Sequence, residues 1–137
     1  MSEIKVDTLT GKTTANNITV TVGASATQSL SDGVAKSWCS TDGDSTVNNS
    51  HNISSTTDNA DGDNTFTFTN NVSAANYVVF GMSKSADTAG TRMAAMNFSA
   101  NAGNWIETSG YRLHMHYDNT NRRECNYIST GMHGDLA

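Results

Sequence analysis

Apolar and polar positions alternate most clearly in residues 33–81, where three apolar-alternating runs are separated by Asp-Gly pairs. Such a pattern predicts antiparallel strands joined by tight turns, a β-meander. Phe66 and Phe68 alternate with Thr65, Thr67 and Thr69, so a strand there puts both rings on one face and the hydroxyls on the other. Val47 and Ile53 share parity in the run before, and Val78 and Phe80 in the run after. The larger side chains then define the inner face of a sandwich, with Trp38, Phe66, Phe68, Val78, Phe80, Met96 and Phe98 as its expected core.

Further along, Met82 to Thr91 reads as a loop, and Arg92 to Ala100 as a strand with Ala94, Met96 and Phe98 facing inward. Asn101 to Gly110 is a second loop. Tyr111, Leu113, Met115 and Tyr117 then share one strand face, opposite Arg112, His114 and His116, and Glu124 to Thr130 supplies a last strand. About seven short strands at roughly 8–15-residue spacing predict an all-β fold, an antiparallel β-sandwich or jelly roll over residues 31–137.

Residues 1–30 form an arm. Ile4, Val6 and Leu9 make a short apolar stripe, and Ile18, Val20 and Val22 alternate as a strand. An isolated hairpin is marginal in water, so this apolar side needs covering. Residues 27–37 are the only predicted helix, with Leu30, Val34 and Trp38 at i, i+4 and i+8 and Thr27 or Ser29 as its cap. Gly33 weakens it by ~1 kcal/mol relative to Ala. Ile4, Val6, Leu9, Ile18, Val20, Val22, Leu30 and Val34 are therefore the candidate oligomerisation residues. Leu30 and Val34 either meet other copies on an axis or pack as a helical turn on their own sandwich.

Composition sharpens this picture. Asn, Ser and Thr supply 51 of 137 residues, which favours strands and turns because these side chains compete with the helical backbone. Net charge is −5, and no Lys or Arg falls between Lys36 and Lys84, so a phosphate backbone would be repelled and nucleic acid is not an expected partner. No run approaches the ~18 apolar residues of a membrane span, and MSEIKVD lacks the apolar stretch of a signal peptide, so cytoplasmic synthesis is expected. Cys39 and Cys125 are then expected as two buried thiols, although a disulfide between them would contribute ~4 kcal/mol in the chain-entropy model.

Ala35, Lys36, Trp38, Gly43, Val47, Ser50, Asn52, Ile53, Ser54, Ser55, Thr57, Asp58, Gly62, Thr65 and Phe68, followed by Ala75-Asn76-Tyr77, carry a resemblance. Together with the opening Ile4 to Leu9, they resemble a module repeated in virion appendage proteins of marine tailed phages, the tail fibre and receptor-binding proteins. His51 stands where that family has an aromatic residue and Asn64 where it has Tyr, and the run from Val47 to Ile53 is two residues shorter. The resemblance implies a structural virion protein made in the host cytoplasm. It would be a short homotrimeric tail fibre or fibre tip, attached to a tail adaptor or capsid by its arm and binding a host-surface glycan or protein. A capsid decoration protein or head fibre with a purely structural role is the alternative.

Candidate chemistry is sparse. There is no GxSxG, Gly-rich phosphate loop or HExxH, so no catalytic residues are assigned and no enzyme activity or cofactor is expected. His114 and His116 lie roughly 7 Å apart on one strand face, a spacing compatible with a transition metal, but Arg112 on that face opposes a cation. Asp58 to Asp63 imitates a calcium loop, yet Ala60 and Thr69 stand where ligands are needed, and a hairpin turn explains it better. Trp105, Tyr111 and Tyr117, with Asn104, Arg122 and Arg123, are the candidate receptor-binding residues, because aromatic faces and amides suit sugar rings. Trp105 could equally plug one end of the sandwich.

Overall fold

A computed structural model describes residues 5–10, 12, 18–22, 26–85, 93–97, 105–116 and 122–134. The chain divides into two compact units, residues 1–34 and 35–137.

In the first unit, β1 (Thr19–Val22) pairs antiparallel with β2 (Ala26–Ser29), and α1 is a single turn over Leu30–Gly33. The helix expected over 27–37 is thus cut to one turn. Its first residues join a strand, as their Thr and Ser content favours, and its last residues lead into the next strand. Val6, Leu9, Val20 and Val34 are exposed, and Ile18 and Leu30 half-buried. Ile4 and the side chain of Val22 lie outside the described residues.

The second unit is a nine-stranded antiparallel sheet in two halves. One half holds β3 (Ser37–Asp42), β4 (Val47–His51), β7 (Val78–Ser85) and β11 (Cys125–His133), in the order β4-β3-β11-β7. The other holds β5 (Ile53–Ala60), β6 (Asp63–Phe68) and β10 (Gly110–His116), in the order β10-β6-β5, with the short β9 (Ile106–Glu107) also on β10. Strand β8 (Met93–Asn97) pairs with β7 on one side and β10 on the other. One buried cluster draws on both halves: Cys39, Ile128 and Met132 from the first, Phe66, Tyr111 and Leu113 from the second. The fold is all-β and sandwich-like, as the alternation predicts.

Residues 47–60 are not one strand of a meander. At Asn52 the backbone turns to φ 55°, a left-handed conformation that Asn tolerates, and the chain leaves one edge of the first half for the far edge of the second. The Asn52 amide fixes this corner. Its Oδ1 accepts from the Asn70 N–H at 2.8 Å, and its Nδ2 donates to the carbonyls of Asn70 at 3.1 Å and Lys36 at 3.2 Å. Two hairpins result, β3–β4 and β5–β6, one at each end of the sheet. The second turns at Asp61-Gly62, which accounts for the calcium-like segment. Gly62 has φ +62°, and a Cβ there would stand 2.4 Å from the Arg123 carbonyl oxygen, so only glycine fits.

Phe66 and Phe68 face inward as expected, Phe66 stacking on Tyr111 at 5.1 Å between centroids and Phe68 meeting Tyr77 edge-on at 5.8 Å. The Tyr77 hydroxyl donates to the carbonyls of Gly110 at 2.6 Å and Glu107 at 2.9 Å, and burial pushes its pKa up to about 12. Asn64, at the family's Tyr position, is fully buried and accepts a hydrogen bond from the Ser45 hydroxyl, whereas His51 is exposed beside Trp38. Cys39 and Cys125 are both buried and unpaired, and burial raises the Cys39 thiol to about 11.

Three expected core residues are not in the core. Trp38, Val78 and Phe80 stand on the outer face, 39%, 66% and 51% exposed. The inner face of these strands is built instead from Ser37, Cys39, Thr41 and Ser83. Small side chains suffice there because the rings of Phe66, Phe68 and Tyr111 fill the space from the opposite half. Strand β7 also runs to Ser85, through what reads in the sequence as a loop. The side chain of Met96 and all of Phe98 lie outside the described residues.

Candidate functional site

His114 and Arg122, both noted in the sequence, converge with Arg112 on the outer side of β6 and β10. Asp63 opens β6 directly after the Gly62 turn and pairs in register with His114. Arg112, two residues earlier on the same face of β10, donates from Nε and from an Nη to the two oxygens of Asp63, both at 2.6 Å. Arg122 returns beside His116 through an isolated bridge and donates to Asp63 Oδ2 at 2.7 Å. His114 Nε2 is 3.1 Å from the same oxygen, out of line for a full hydrogen bond. The Asp63 side chain is only 2% exposed, while those of Arg112 and Arg122 are 37% and 41% exposed.

Trp105 closes this cluster. The Arg112 guanidinium lies over its indole at 4.3 Å, the His114 imidazole meets it edge-on at 4.3 Å, and the Trp105 carbonyl accepts from the Arg112 N–H at 2.9 Å. Burial acts to raise the Asp63 pKa, but the hydrogen bond from Arg112 and the charges of His114 and Arg112 outweigh it and hold the carboxyl below its usual range. Burial lowers the His114 pKa, and the Asp63 charge only partly opposes that. Near neutral pH the cluster is therefore a carboxylate held by two guanidinium groups beside a neutral imidazole. Every oxygen of Asp63 is engaged, so the geometry is that of a structural tie between strands.

Trp105, 6% exposed, plugs the site and does not offer a stacking face. Tyr111 is 2% exposed in the core, its hydroxyl 3.2 Å from Thr130 Oγ1. Placing it on an outer recognition surface is thus corrected: its strand parity points it inward with Leu113 and Met115. Arg122 is committed to Asp63. Arg123 is exposed, and its N–H donates to the Met115 carbonyl at 3.1 Å. Asn104 and Tyr117 lie outside the described residues. His114 and His116 are 5.8 Å apart between ring centroids, and no grouping of three metal-ligating side chains occurs among the described residues. Asp63 and Arg112 were not assigned to a site from sequence, since only strand pairing reveals which acid an outward arginine meets.

Two other surface features stand out. An open acidic pocket of about 470 Å³ is lined by Asp42, Asp44, Asp58 and Glu124. Asp42 hydrogen-bonds Asp44, which raises the pKa of the first and lowers that of the second. On the outer face of β3, β11 and β7, Trp38, Phe80 and Met82 stand exposed around a groove of about 320 Å³ whose walls are almost wholly apolar, and Tyr127 is exposed further along the same face.

Comparison of the chain with protein-family models, curated proteins and solved structures returns no match. Among the described residues no helix is long and apolar enough to cross a membrane.

Proposed function

We propose that this chain is a structural appendage protein of a tailed-phage virion, a short fibre or fibre tip whose copies associate and whose sandwich serves host attachment. The observation that supports it most is the contrast in what the molecule leaves open. Its most elaborate charged cluster, around the buried Asp63, is engaged in strand-to-strand pairing, whereas large apolar side chains are exposed across the opposite half. A protein with this distribution uses its free surface for association rather than for chemistry. The resemblance of residues 4–9 and 35–77 to phage appendage modules supplies the setting, and the arm, with Val6, Leu9 and Val20 exposed, supplies a means of attachment.

Antibody labelling of intact particles tests the reading by electron microscopy. Label at the tail tip or on tail fibres is the expected result. Label on the capsid surface would replace the fibre by a decoration protein, and particles without label would overturn the virion assignment.

A further inference from the structure

The outer face of β3, β11 and β7 has a left-to-right order with consequences for what covers it. Trp38 pairs with Gly131, and Gly131 with Phe80, so the two residues stand at one height on either side of β11, their backbones about 10 Å apart across two strand spacings and the Phe80 ring lying over Gly131. Ser40, Ser129 and Met82 form the next row, and Asp42, Tyr127 and Lys84 the row beyond. In each row the β3 side and the β7 side complement one another: indole against phenyl, a small hydroxyl against a long thioether, a carboxylate against an ammonium.

We infer that this face is the interface between copies of this chain, arranged about an axis parallel to β11. Rotation about such an axis preserves height and carries the β7 edge of one copy onto the β3 edge of the next. Phe80 then meets Trp38 of the neighbouring copy, Met82 meets its Ser40, and Lys84 meets its Asp42. Two-fold and three-fold closures both satisfy these pairings, and both are closed assemblies.

Three observations favour a second copy over other occupants. Trp38, Val78, Phe80, Met82 and Tyr127 keep between 39% and 66% of their surface. At roughly 100 Å² each they present about 500 Å², and in the two-fold closure two such faces reach the roughly 1,000 Å² that a specific interface needs. The groove walls are almost wholly apolar, with Gly81 and Gly131 in its lining, whereas a sugar requires hydrogen-bonding groups beside the ring faces. The charges of opposite sign sit at opposite edges of the same row, which suits a copy related by rotation. The inference rests on the reading of the protein as an assembly module and names the surface through which it assembles.

The test uses the full chain. Light scattering at micromolar concentration should give the mass of two or three subunits, and W38S/F80S/M82S should reduce it to one subunit with a cooperative melt retained. Should that variant fail to fold, co-expressed W38C and F80C chains decide the point, because a short bismaleimide should link the mixture between copies and leave either single variant unlinked. A monomeric unmutated chain, a folded triple variant of undiminished mass, or linking within the W38C chain alone would each overturn the interface. Self-association through this face without any particle labelling would remove the virion role and leave the interface standing. Labelled particles with a multimer indifferent to W38S/F80S/M82S would do the reverse.

Discussion

The two halves of the sandwich solve the same problem differently on their outer faces. On β6 and β10 the outward row is charged, and the chain pairs it within itself: Asp63 ties down Arg112 and Arg122, and Arg112 lies over the buried Trp105. On β3, β11 and β7 the outward row is apolar and uncovered, while Ser37, Thr41 and Ser83 occupy the inner side. Exposure therefore follows neither polarity nor size in this molecule. A buried carboxylate is tolerated where two cations meet it, and an exposed ring is tolerated where a further surface can meet it.

The largest effect that separates the faces is a ring deletion. Phe66→Ala removes a fully buried ring stacked on Tyr111 and should cost ~3–5 kcal/mol in denaturant unfolding. Phe80→Ala removes a ring already half in water and should cost the separated subunit about 1 kcal/mol, well under half as much. Comparable losses at both positions would show the outer face to be part of the monomer's core and break the comparison.

Next is the charged tie. Asp63→Asn leaves two guanidinium groups and an imidazole facing one amide, and about 2 kcal/mol should be lost, less than for a fully buried pair because both arginines reach solvent. Measuring the same variant in high salt sharpens this: with both arginines partly in solvent, screening should remove part of the difference, and the buried Asp63 end should keep the rest.

Acid acts on the same face more gently. The His114 pKa is lowered in the folded state, so below its ordinary value near 6.5 the unfolded chain binds a proton that the folded chain refuses, and stability falls as pH drops. The folded Asp63 pKa is also depressed. Its contribution is complete above the ordinary value of 3.8 and is lost as pH falls through the lower folded value. Unfolding free energy should decline in two stages, and His114→Gln should remove the first and lessen the second, because the His114 charge is one of the causes that hold the Asp63 pKa down. A single decline unaffected by His114→Gln would mean that the imidazole is not the group responsible.

Much of the architecture was legible because strands impose a period of two. Phe66 with Phe68 and Tyr111 with Leu113 and Met115 face inward as their parity requires. Parity says which residues share a face but not which face is inside, and size misleads in β3 and β7, where the larger residues point out. The break at Asn52 was hidden because parity continues on both sides of it, and only its left-handed backbone ends the strand. In β11 the register shifts between Cys125 and Tyr127, so that Cys125 is buried although Tyr127 and Ser129 are exposed. The Asp63 cluster depends on pairings 49 and 59 residues apart, which local spacing cannot show. His114, His116, Trp105 and Arg122 were recognised as notable, but the carboxylate that unites them read as a turn residue.

The smallest expected change in stability comes from Gly131→Ala, and it probes the open face most directly. A Cβ at this position would stand 2.8 Å from Phe80 Cζ and 2.9 Å from Cε2, closer than contact allows. The atoms it meets are the tip of a half-exposed side chain, so the ring can swing outward. Alanine also suits a strand better than glycine by ~0.5–1 kcal/mol, which offsets the displacement. The unfolding free energy of the separated subunit should therefore stay within about 0.5 kcal/mol of the original. Association should not be so indifferent, because the ring that leaves Gly131 alters the groove beside Trp38 where the neighbouring copy is to seat. Denaturant unfolding and light scattering on the same sample give the two numbers. A loss of 2 kcal/mol or more would mean that Phe80 is held in place by its own subunit, and the contrast between a self-paired face and an open one would fail.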